Sequence, residues 1–203
     1  MGAMSVICIF CKFLVAPFIF TERIKIVKKR EYFNYANEKF SPLRDPMRRL
    51  MTAYGEAERH FAHIKEIVWA EMGFVALSQY IHSLEHIQPE YVDELKAFLA
   101  EYGLLLEYPT VTELAEPMDD LDKVFEVCVG IVDETDDALR AFIKVVDEQT
   151  PELSVIARNL ETLQMKNSKD RTFILEAWSM WDNNPSCTSF DNWVEHNAPA
   201  LQK

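Results

Sequence analysis

The chain has 203 residues, a length that suits one domain of about 100–200 residues carrying tails. Apolar residues make up 49% and charged residues 27%, an ordinary balance for a soluble globular chain, and the five glycines leave room for long uninterrupted helices. A net charge of −12 excludes nucleic-acid binding by the body of the protein, because an acidic surface repels phosphate.

That charge is unevenly placed. Residues 1–50 hold ten Lys/Arg against four Asp/Glu, whereas residues 51–203 hold eleven against twenty-nine. The chain opens on Met1-Gly2-Ala3-Met4, which reads as a cloning remnant, and continues into an apolar leader over residues 5–20 broken by Lys12 and Pro17. The leader falls short of the roughly 20 residues that a spanning helix needs, and it lacks the basic flank and cleavage site of a secretory signal. A membrane role is therefore not expected and the protein is read as cytoplasmic; a strand, a docking peptide and an over-extended start all stay open for the leader. Cys8-x-x-Cys11 has no second pair or histidine at finger spacing, so it is a weak zinc or redox motif. Next comes a basic arm containing Arg23, Lys25, Lys28, Lys29 and Arg30. It suits DNA phosphate or an acidic neighbour, although the commonest fate of such a run is a solvated charged face.

Helical periodicity begins after an irregular linker. Asp45 followed by Pro46 is a helix-start signal, and Leu50, Ala53, Ala57, Phe61, Ile64 and Val68 keep steps of three and four up to Gly73. A second helix is predicted from Phe74 to about Tyr102, with Leu77, Ile81, Leu84, Leu95 and Leu99 on one face and a kink or local break at Pro89. Residues 104–119, with Pro109 and Pro117, read as a long crossover loop. A third helix is predicted over about 119–149, with Cys128 as a buried thiol, and a fourth from Thr150-Pro151 to about Trp181. Asn183-Asn184-Pro185 stops it, and the remainder is polar apart from Phe190, Trp193 and Val194.

Four long amphipathic helices with one long connection, between the second and third, describe an all-α fold: a ferritin-like antiparallel four-helix bundle. The predicted division is residues 1–44 as leader and basic linker, 45–182 as the bundle, and 183–203 as a C-terminal tail.

An ordered set of motifs over residues 45–182 then resembles a known family. Gly73-Phe74-x-x-Leu77, Glu90-Tyr91-Val92-Asp93-Glu94-Leu95, Gly103, Tyr108-Pro109-Thr110-Val111-x-Glu113-Leu114 and Lys169-Asp170-x-Thr172-x-x-Leu175-x-Ala177-Trp178 together look like Dps, the DNA-binding protein from starved cells. That resemblance implies a mini-ferritin: a hollow homo-dodecamer that oxidises Fe(II) between subunits and stores the ferric product under oxidative stress, in some members with DNA bound by basic tails. The family's ferroxidase ligands are a histidine in the first helix, a second histidine twelve residues on, an aspartate fifteen further and a glutamate four beyond. Carried onto this chain they fall at Glu66, Ser78, Asp93 and Ala97, so only Asp93 matches and Glu66 is a substitute oxygen ligand.

The site is thus depleted or relocated. A displaced iron site is one reading, in which His82, His86 and Glu90 follow Ser78 at steps of four, Asp93 follows by three, and His60, His63 and Glu66 face them across the hairpin. The other reading is a set of partly exposed, hydrogen-bonded histidines in a bundle that handles no metal there. The acidic run 133–137 is a solvated or cavity-lining face, and Trp178 and Trp181 are core or interface residues. No Gly-rich phosphate loop, Gly-x-Ser-x-Gly or paired CxxC supports a hydrolase, nucleotide-binding or zinc-finger reading. The expected function is iron sequestration, with ferroxidase activity if the displaced site is real; the alternative is an inactive structural or DNA-associated shell.

Overall fold

The computed structural model describes residues 40–101, 110–112, 114, 117–149, 154–183 and 186–201. They form an all-α protein: a short 3-10 turn over Ser41–Leu43, then α1 (Arg44–Ala70), α2 (Val75–Glu101), α3 (Leu121–Gln149), α4 (Ser154–Asn183) and α5 (Cys187–Asn197). None of the described helices is long and apolar enough to cross a membrane. The leader, the basic arm and Cys8-x-x-Cys11 lie outside the described residues.

The ends of the helices follow their local chemistry, with two departures from expectation. Asp45 is not a cap, because the preceding turn starts α1 one residue earlier; its carboxylate sits in the first turn and accepts a bond from Arg48 at 3.0 Å. Pro89 does not break α2, which runs on through it. The ring has no N–H to give the carbonyl one turn back, and in the same turn the buried Gln88 side chain donates to the Leu84 carbonyl at 3.1 Å. Asp120 caps α3 through the Lys123 N–H at 2.8 Å. Between α1 and α2 the chain reverses at Gly73, whose φ of +79° lets the Phe74 N–H return to the Val68 carbonyl at 3.1 Å.

Helix packing builds two apolar clusters. One joins Leu50 of α1, Leu95 and Leu99 of α2, Leu139 and Phe142 of α3, and Leu160 and Leu163 of α4. The other joins Phe61 and Ile64, Leu77 and Ile81, Val124 and Phe125, and Phe173 and Ile174 from the opposite halves of the same four helices. The N-terminal halves of α1 and α4 therefore meet the C-terminal halves of α2 and α3, so α1 and α4 run one way and α2 and α3 the other. α2 ends and α3 begins at opposite ends of these helices, and Val111 and Thr112 between them lie against α1. Thr112 donates to Glu56 through its hydroxyl at 2.8 Å, and Val111 is so near Gly55 that a Cβ there would meet its methyl at 3.1 Å.

The stretch after Asn183, expected from sequence to be a polar tail, is a working part of the core. In α5, Phe190 and Val194 are fully buried, and Phe190 sits edge-on to Phe74, Phe125 and Trp181. Asp191 reaches the start of α2, accepting bonds from the Val75, Ala76 and Leu77 N–H groups at 2.9–3.1 Å. A carboxylate there satisfies donors that α2 cannot and complements the positive end of its dipole. Trp178 stacks on Phe125 and donates to Asp122 at 2.8 Å, a packing role as expected. Cys128 is buried as expected, and burial pushes its thiol up to about 12.

Polar side chains interrupt the apolar interior. Burial raises the hydroxyl pKa of Tyr54 and of Tyr91, whose rings meet edge-on with centroids 5.8 Å apart. Asp170, on α4, is pushed up to about 6 by burial, only partly offset by the Tyr80 hydroxyl and Lys169.

This packing yields two expectations for stability. Asp191→Ala should cost about 1–2 kcal/mol in urea unfolding, the usual loss for a deleted cap, although the residue lies far from α2 in sequence. Because the folded state holds Asp170 above its ordinary 3.8, its contribution is present below about pH 4 and lost as pH rises through about 6. Asp170→Asn should therefore stabilise the protein by up to about 3 kcal/mol at pH 8 and by little at pH 4, again read by urea unfolding.

Candidate metal centre

The α1–α2 hairpin builds its polar site from one helix face and one lysine opposite. His82, Glu85 and His86 occupy steps of three and four on α2, so the helix stacks them on one side. Each offers a ligand atom within 4.8 Å of the others. The His82 Nδ1 lies 2.9 Å from Glu85 Oε2, and its Nε2 lies 3.1 Å from the His86 Nε2. Lys65 of α1 completes the group, donating to Glu85 at 2.6 Å and lying 3.2 Å from His82 Nδ1. Burial alone would raise the Glu85 pKa, but hydrogen bonds from Lys65 and His82 outweigh it and hold the carboxyl below its usual range.

One tautomer of His82 places its Nδ1–H on the Glu85 carboxylate and turns its Nε2 lone pair toward His86. A carboxylate fixing the far nitrogen of an imidazole is the usual support for a metal-binding histidine. An ion held about 2.1 Å from each Nε2 would subtend roughly 95° across their 3.1 Å separation, near the right angle of six-coordinate iron. The site is open to solvent, with the His82 side chain 47% exposed.

Of the residues predicted from sequence, only His82 and His86 come together. His63 and Glu66 are not buried on α1, and neither belongs to the ligand group. Glu90 is exposed one turn beyond His86. Asp93 is exposed and bound to Lys96 at 3.0 Å, at the edge of a groove of about 440 Å³ between α1 and α2. His60 lies 3.3 Å from the Thr112 carbonyl through its Nε2 and so anchors the long connection. Ser78 is buried, and its hydroxyl ties α2 to the Lys65 carbonyl at 3.1 Å. Ala97 belongs to α2 and adds no ligand atom. The proposed DNA-contacting residues Arg23, Lys25, Lys28, Lys29 and Arg30 lie outside the described residues.

Sequence reasoning does not reach Glu85 or Lys65. The available signal for Glu85 is the spacing His82-x-x-Glu85-His86, which puts two imidazoles and a carboxylate on one helical face; the same spacing occurs in one class of zinc peptidase. Here Glu85 is taken up by Lys65 and His82, so it orients an imidazole and is not offered to a water. Lys65 carries no sequence signal, since its partners stand across the hairpin.

The chain matches no family model, no curated protein and no solved structure.

Opposite effects are expected from the two residues that share the carboxylate. Glu85→Gln should weaken Co(II) or Fe(II) binding roughly 10–100-fold, the usual cost of losing an orienting carboxylate. Lys65→Met should tighten it about three- to tenfold by freeing that charge, on the order of 1 kcal/mol. Equilibrium dialysis reads both; a purely structural ion pair would change metal affinity in neither.

Proposed function

We propose that this chain is a ferritin-like, Dps-type protein that binds Fe(II) at His82 and His86, with Glu85 orienting His82, and sequesters it in a homo-oligomeric shell. The observation that carries the reading is the convergence of two imidazole nitrogens and a carboxylate on one exposed helix face. Helix directions support the bundle side of the argument. The first and fourth helices oppose the second and third, and Thr112 of the α2–α3 connection is bound to α1, which suits a ferritin-like fold.

The chemistry asked of the site is modest. His82 and His86 supply borderline nitrogen donors, Glu85 fixes the His82 tautomer, and open coordination positions remain for oxidant or water. Lys65 already neutralises the carboxylate and lies 3.2 Å from His82 Nδ1, so its positive charge opposes a cation on the far side of the ring. Affinity should therefore be lower than at a site with free carboxylates, which suits transient binding of Fe(II) on its way to storage. In this reading Ser78, placed where the family has a histidine, has been given over to holding the two helices together.

Solution mass and iron content after aerobic Fe(II) loading test the proposal. A Dps-type shell predicts an assembly near twelve chains that retains iron, and an unchanged assembly with at least about tenfold less Fe(II) affinity in His82→Ala/His86→Ala. An assembly that stays empty, or a small species that binds no iron, would contradict it.

A further inference from the structure

The donors left open at the α1–α2 hairpin are nitrogens. Glu85 Oε2 already accepts from Lys65 at 2.6 Å and lies 2.9 Å from His82 Nδ1, so its charge is matched on the side of the ring away from His86. What an ion meets is the pair of Nε2 atoms, 3.1 Å apart and open to solvent. The two rings stand at 73° to one another with centroids 4.3 Å apart, so one rigid helix already holds both within a single coordination sphere. Little ordering remains to be done when an ion arrives.

Donor type and angle state which ion suits such a pair. At a given site divalent affinity rises from Fe(II) through Co(II) and Ni(II) to Cu(II), and that gap is wider for nitrogen donors than for oxygen donors. Lys65 withdraws the one oxygen donor that would narrow it. The angle of roughly 95° subtended by the two Nε2 atoms is that of neighbouring equatorial positions in tetragonal Cu(II), and is tighter than the angle of about 109° in tetrahedral Zn(II).

We propose that His82 and His86 form a Cu(II) site, and that Lys65 sets its preference over Fe(II) by keeping the Glu85 carboxylate from the metal. Cu(II) then excludes Fe(II) from the pair and regulates iron handling. That regulatory role rests on the iron reading above; the copper site does not.

Equilibrium dialysis of the full chain tests it, with Cu(II) chloride buffered by glycine and, separately, with Fe(II) under anaerobic conditions. Cu(II) should bind about 100-fold or more tighter than Fe(II). Electron spin-echo envelope modulation of the bound Cu(II) should count two equatorial imidazoles, and one in His82→Ala or His86→Ala. Each of those substitutions should weaken Cu(II) binding about tenfold or more, and His63→Ala should leave it unchanged. Lys65→Met, which releases the carboxylate, should narrow the Cu(II)-to-Fe(II) ratio about threefold or more. Cu(II) bound without both imidazoles, Fe(II) binding as tight as Cu(II), or a ratio unmoved by Lys65→Met would each overturn the proposal. Cu(II) on the pair with no Fe(II) binding there would support it and overturn the iron reading instead.

Discussion

The register between α1 and α2 is the constraint on which the rest depends. Gly73 sets it by adopting a conformation that costs a residue with a Cβ roughly 1–2 kcal/mol, and Asp191 holds the start of α2 from the far end of the chain. With that register in place, the Ser78 hydroxyl meets the Lys65 carbonyl, and the Lys65 ammonium meets Glu85. Had α2 rotated by one residue, about 100°, Lys65 would face a different side chain and the two histidines would leave the exposed face. Cluster and fold share the same contacts, so the grouping of His82, Glu85 and His86 is a consequence of how the hairpin closes.

Three-and-four periodicity is a local property, and it makes the four long helices legible in the sequence. Cys128, Trp178 and Trp181 are legible for the same reason, since an apolar helix face dictates burial whatever it packs against. Partnerships between distant segments are not. Asp191 looks like one more acid in a polar stretch, because nothing in its neighbourhood shows that three N–H groups of α2 await it. Phe190 and Val194 are too few to announce a core helix by periodicity alone. Pro89 suggests a kink or a local break, and of these the break does not occur, because α2 runs on through it.

The candidate site is legible in halves. Helical spacing places His82 and His86 together, and extending that row to Glu90 and Asp93 follows helix geometry but runs past the point where ligand atoms can share an ion. Glu90 stands two turns from His82, roughly 12 Å along the axis, beyond the reach of one coordination sphere. Glu85 lies inside the row, but at a step of three from His82, so a row drawn in steps of four passes it by. His63 and Glu66 sit on the correct helix yet turn away from the ligand group, while Lys65, between them in sequence, is the residue that faces α2.

The measurement that bears most directly on the metal centre is an anomalous-difference map from crystals of the full chain soaked in Fe(II) under anaerobic conditions. An iron site at His82 and His86 predicts one dominant peak about 2.1 Å from the Nε2 atoms of both. Iron bound elsewhere, at His63, Glu66 or Asp93, or no iron at His82 and His86, would contradict it.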